Sequence, residues 1–279
     1  MKINSRHLQA EDHQAGTAAT PTPSERARQS NQALILWCIF FLLVVLINGT
    51  IPFALGADLR AWTQSPVKSV LFAFLLYGII FLAVPLILVK SWETVRQPAF
   101  LVPLCLAVLG ITFWHYFWPG VAVAVAMLAY LHRRFDLSGI GLRSHGWKGD
   151  LLAVLLMGVL GLVPVFMRSS FVGPSLGAAL TAALQRLFAN PASSAENIFY
   201  FGFLTERVSY RAGRWLTPLL IGLMYTAHEM SNPEYWYGGM SFALIFVGVS
   251  LWAGIYLWRR SAAVIWLGDG LYRFVLNLF

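Results

Sequence analysis

Hydrophobic residues dominate this chain in long runs, broken by short polar segments that carry most of its charge. The runs at 33–55 and 69–89 are each long enough to cross a hydrocarbon core about 30 Å thick. The stretch 99–131 is too long for one ordinary span and is interrupted at Pro119–Gly120. It is expected to form two short helices, 99–116 and 119–131, meeting at the aromatic cluster 113–118. A single kinked helix is the alternative, and it would invert everything downstream. A polar connector, HRRFDLSGIGLRSHGWKGD (132–150), leads to a span at 151–167. A short amphipathic helix is expected at 176–188, then helices at 193–209, 215–230 and 240–258, and a last one at Ala262–Leu278. The expected fold class is all-α: a polytopic bundle of about eight transmembrane helices, without internal repeat. Three regions follow. Residues 1–31 form a polar tail expected to be disordered, 32–135 the N-terminal helices, and 136–279 a second helical core.

Composition agrees. Of 279 residues 58% are hydrophobic and only 11% charged, with a mean hydropathy of +0.66. A soluble domain carries about 25% charged residues. The net charge of +8 resides in single or paired cations between apolar runs, which fits loops on a cytoplasmic face and not a nucleic-acid surface. With the N terminus inside, Lys90, Arg96, Arg133, Arg134, Arg207, Arg211, Arg214, Arg259 and Arg260 fall on the inner side. Only Arg60, Lys68, Arg168 and Arg186 fall on the outer side. The expected location is a bacterial inner (plasma) membrane, N terminus cytoplasmic. Cys38 and Cys105 lie in apolar runs and are expected to be buried spectator thiols.

Ionisable side chains within such runs are costly and tend to be functional. The candidates are Glu196, Glu206, His228, Glu229, Asp269 and Arg273. Glu196 and His228 each stand about 16 residues from the bend at Ala212–Gly213. Two helical arms rising about 1.5 Å per residue would therefore bring both to one depth, roughly 24 Å from the bend. Glu196 reads either as a base whose pKa is raised by burial or as a first-turn residue behind caps at Ser193 and Ser194. His228 reads either as its partner or as an interfacial histidine. Glu206 is expected to pair with Arg207 and Arg211 at the inner boundary, and Glu229 and Glu234 to face water. His115, in the aromatic cluster, is expected to serve as an interfacial anchor. Asp269 and Arg273 share a helix face as an i, i+4 pair. Asp269 should lie about 13 Å above the Arg259–Arg260 turn, roughly 10 Å below Glu196 and His228. His228-Glu229 lacks the second histidine of a zinc-protease helix, so no metal is expected.

The connector from Asp136 to Trp147 and the segments Glu196–Phe203, Met224–His228 and Asp269–Arg273 together resemble, over about residues 136–279, the CAAX-protease and bacteriocin-processing family of glutamic intramembrane endopeptidases. The likeness begins with a "GLR…W" connector, Gly141-Leu142-Arg143 to Trp147, that leads into a span. The first motif matches Glu196-Asn197-Ile198-Phe199-Tyr200-Phe201-Gly202-Phe203, with Asn197 in place of a second Glu and Phe201 in place of Arg. The second motif matches Met224-Tyr225-Thr226-Ala227-His228, with Met224 in place of Phe. Asp269-Gly270-Leu271-Tyr272-Arg273 fills the third slot, where the family has His and Asn. A second alignment uses Glu206 and Arg211 but leaves only 22 residues to His228. The resemblance implies hydrolysis of a membrane-embedded protein or peptide, without cofactor. Glu196 would activate water with His228, and Asp269 and Arg273 would stand at the oxyanion. Asn197, Tyr225 and Asn232 would contact substrate. With the site facing outward, a sorting helix or secreted precursor fits better than a cytoplasmic prenylated tail. Two other classes remain: a non-catalytic scaffold in an immunity or accessory role, and a small transporter, for which repeat halves are lacking.

Overall fold

The computed structural model describes residues 22–112, 118–167, 175–229 and 239–279. Every regular element among them is helical. Helix α1 spans Pro23–Ala54 and α2 spans Pro66–Lys90. Helix α3 is Pro98–Thr112 and α4 is Trp118–Arg134, packed against each other. Helix α5 is Trp147–Phe166 and α6 is Leu176–Ala189. Helix α7, Pro191–Asn197, runs through wide π-type turns at Ile198–Leu204 into α8, Thr205–Glu229. Helices α9, Gly239–Arg259, and α10, Ala262–Leu278, complete the bundle. Among the described residues four helices are long and apolar enough to cross a membrane: α1, α2, α5 and the Phe242–Arg259 part of α9. Apolar side chains also cover the outside, with Leu42, Phe53 and Val159 well exposed. A helix that is apolar all round belongs either in a core or in lipid.

Several boundaries differ from those expected. Helix α1 starts at Pro23, so residues 23–31 are helical and not a disordered tail. The cause is a capping box: Thr22 Oγ1 accepts from the Glu25 N–H while Glu25 Oε2 accepts from the Thr22 N–H. Region 99–131 does contain two helices, α3 and α4; the cluster around His115 lies outside the described residues. Cys38 and Cys105 are exposed free thiols, not buried ones.

The bend between the two arms is at Gly213, whose φ of 66° and ψ of −176° break the helix. A positive φ of this kind costs glycine little and other residues much. The second arm returns beside the first, because Tyr225 and His228 both pack on Tyr200.

The connector between α4 and α5 is tied into the bundle through two backbone carbonyls and the Arg143 side chain. Ala262 N donates to Gly141 O at 2.7 Å, Arg207 to Gly139 O at 3.0 Å, and Arg143 Nε to Arg260 O at 2.8 Å. At Gly202 the connector comes so close that a Cβ there would run into the backbone carbonyl of Ile140. In the same connector Asp136 accepts from both the N–H and the hydroxyl of Ser138, which hold its carboxyl below the usual range.

Glu206 does not pair with Arg207 and Arg211 as expected. Its partners are Arg260 at 2.7 Å, Arg143 at 3.5 Å and the Tyr256 hydroxyl at 3.2 Å. Arg207 instead turns inward, buried over the Phe203 ring at 4.0 Å, and Arg211 donates to Asn31. The physical reason is the position of the Arg259–Arg260 turn. It docks beside Glu206, seven residues from Gly213, or about 10 Å up the first arm.

Candidate functional site

That offset places the polar groups. Because α10 begins level with Glu206, Asp269 is raised to the level of Glu196 and does not lie below it. Asn197, the neighbour of Glu196, donates through Nδ2 to Asp269 Oδ2 at 3.3 Å. The roughly 10 Å gap expected from the sequence is therefore absent.

Glu196 follows an N-cap at Asn190, whose side chain accepts from Ser193 N, with Pro191 opening the helix. Ser193 and Ser194 are not the caps, so Glu196 lies beyond the first turn. Its carboxylate is held by two phenols: Tyr77 of α2 donates to Oε1 at 2.9 Å and Tyr225 of α8 to Oε2 at 3.3 Å. A carboxylate in apolar surroundings needs such donors, since burying a charge without partners is severely unfavourable.

His228 is 5% exposed inside an aromatic box. The ring stacks on Tyr200 with centroids 5.8 Å apart and meets Phe40 edge-on at 5.1 Å. Phe81 lies at 6.0 Å and Tyr225 at 5.7 Å. Its Nδ1 is buried without a hydrogen-bond partner. Glu196 and His228 therefore share one neighbour, Tyr225, which hydrogen-bonds the first and packs on the second.

Asp269 is 1% exposed, and its principal partner is Arg186 Nε at 2.5 Å. Arg273 is the weaker partner, at 4.0 Å, and its Nε has no hydrogen-bond acceptor. Arg186 lies within the helix expected at 176–188. It sits in the final wide turn of α6, where neighbouring Leu187 lies against the Cα of Gly270. The sequence offered one signal for this: an arginine within an otherwise apolar helix must find a buried anion.

A cavity of about 570 Å³ lies between α5, α9, α10 and the end of α8. Tyr225, Glu229, Arg186 and Arg273 form its polar part, so Glu229 lines a cavity and is not simply water-facing. Glu196 lies one hydrogen bond behind it, through Tyr225. Of the residues expected at the site, Glu196, Asn197, Tyr225, His228, Asp269 and Arg273 are gathered into one region. Asn232 and Glu234 lie outside the described residues. No three His, Cys, Asp or Glu side chains group as metal ligands among the described residues.

The described residues define an all-helical protein, four of whose helices are long and apolar enough to cross a membrane, with a polar centre of tyrosines, carboxylates and arginines. No protein-family model, curated protein or solved structure matches the chain.

Proposed function

We propose that the chain is a glutamic-type intramembrane endopeptidase, built as a bundle of about eight transmembrane helices with its N terminus in the cytoplasm. The observation that carries this reading is the meeting of Glu196 and His228, 32 residues apart, around the single residue Tyr225 beside a cavity. A water entering from the cavity gives its proton to Glu196 while its oxygen attacks the scissile carbonyl, with His228 as the partner of that water. The carbon–nitrogen bond then breaks and Glu196 returns the proton to the leaving amine. Asp269 is occupied as an acceptor for Arg186 and Asn197, so it is not an oxyanion donor. Arg273, whose Nε lacks a hydrogen-bond acceptor, is the group able to donate, since the Tyr225 hydroxyl already donates to Glu196.

A second reading has its own support. Two phenols already occupy the Glu196 carboxylate, as suits a non-catalytic scaffold that binds a membrane partner. Profiling of new protein termini in membranes from cells expressing the chain separates the two. Cleavage is expected inside or beside apolar segments with the wild type and not with Glu196→Gln or His228→Ala at equal protein levels. A metal chelator should leave it intact. The same new termini in both variants would remove the protease reading.

A further inference from the structure

The polar end of the cavity carries two arginines and one carboxylate, but they are not equally engaged. Arg186 is committed to buried Asp269. That leaves Arg273, whose side chain is 42% exposed and whose Nε lacks an acceptor, and Glu229. Arg273, held only loosely by Asp269 at 4.0 Å, and the Glu229 carboxylate line the same cavity and make a dipolar pair. Beyond them the cavity is lined by hydrocarbon, including Leu160, Val163, Val247, Leu251 and Leu276. Along α9 this lining runs from Leu244 to Trp252, or about 12 Å. Both charges lie near the helix ends opposite the Arg259–Arg260 turn, and the lining reaches inward from them to Leu251 and Trp252, with Leu276 a turn further out. A lipid in a leaflet has the same arrangement of charge and hydrocarbon.

We propose that this cavity binds a zwitterionic phospholipid with a primary ammonium headgroup, such as phosphatidylethanolamine. Its phosphate is taken by the Arg273 guanidinium and its ammonium by Glu229, and one acyl chain fills the apolar part. A cavity of about 570 Å³ is of the size that holds one small ligand, about 300–1,000 Å³. An unwound peptide suits it less well. Its backbone N–H groups need acceptors at every residue, and Glu229 is the single carboxylate among the lining side chains. A phosphatidylglycerol head would use Arg273 and leave Glu229 opposing it. A choline head cannot donate hydrogen bonds to Glu229. The proposal is read out as lipid retention, separately from cleavage, although a lipid seated on Arg273 would have to leave before a scissile carbonyl could use that donor.

Gly248 supplies a clean test, because it lines the cavity and a Cβ there meets nothing within 4 Å. Gly248→Leu therefore starts from open space at its Cβ and is expected to fill part of the cavity. Native mass spectrometry of the full-length protein, released from neutral detergent with equal amounts of phosphatidylethanolamine, phosphatidylcholine and phosphatidylglycerol, reads the result. The ethanolamine lipid should be retained about tenfold over the other two. Glu229→Gln should remove that preference, Arg273→Gln should weaken all three, and Gly248→Leu should abolish retention while thermal stability holds. Equal retention of the three headgroups would overturn the proposal, as would undiminished binding to Gly248→Leu. Displacement of the lipid by an equimolar leucine-rich transmembrane peptide would also overturn it and assign the cavity to peptide.

Discussion

Replacing Asp269 by leucine is the sharpest perturbation of the polar centre. Asp269 is 1% exposed and Arg186 18%, so the substitution strands a cation that water barely reaches. Removing one member of a buried ion pair costs about 3–5 kcal/mol. The residual exposure of Arg186 and the loose contact of Asp269 with Arg273 at 4.0 Å argue for the lower end, about 3 kcal/mol. At about 2–4 °C per kcal/mol, the midpoint of thermal unfolding should fall by about 6–12 °C. The purified protein in neutral detergent, followed by fluorescence-detected size exclusion after heating, gives the measurement. The double variant Arg186→Met, Asp269→Leu removes both charges at similar volume and should recover to within about 1 kcal/mol of the wild type. A single-variant shift below about 3 °C, or a double variant worse than either single, would refute the reasoning. In that case Arg186 would not be the partner of Asp269.

Other consequences are simpler to read. Gly202→Ala drives a Cβ into the backbone of Ile140 and should cost at least about 1–3 kcal/mol, seen as lost yield of monodisperse protein. Normal yield and midpoint would contradict the close approach. Glu206→Gln leaves Arg260 and Arg143 with a weaker acceptor, but both side chains are about a third exposed. Solvent screening limits the loss to about 1 kcal/mol, and a loss above about 3 kcal/mol would show that the pairing is more buried than described. Asp136 has a lowered pKa from its Ser138 hydrogen bonds. Its contribution is therefore present above the ordinary carboxylate value, near about 3.9, and lost as pH falls through the depressed folded value. Ser138→Ala should move that loss to higher pH in an acid titration of stability, and an unshifted titration would discount the turn.

How much of this was legible beforehand follows from the range of the interactions. The bounds of Ala262–Leu278 and the division of 99–131 into two helices are set by local breaks such as Pro119 and Ser261, and these can be read directly. The symmetry of Glu196 and His228 about Gly213 was equally visible, because it needs only residue counts and a constant rise. Relative offsets between helices were not. Asp269 reaches the level of Glu196 because Arg260 docks on Glu206, 54 residues away, and Arg186 finds Asp269 across 83 residues. No periodicity encodes such a choice, since several arginines were equally available to each carboxylate. The Thr22–Glu25 capping box was written in the sequence, but it sits in a stretch whose polar composition argued for disorder.

The box around His228 has one more implication. Two of its walls, Phe40 and Phe81, come from α1 and α2, and Tyr77 of α2 holds Glu196. The first half of the chain is therefore not a detachable anchor for a self-sufficient second half. A fragment starting at residue 136 would leave the imidazole with two open sides and the carboxylate with one phenol. Any ancestor or engineered version that shuffled the two halves independently would have had to reinvent the centre each time.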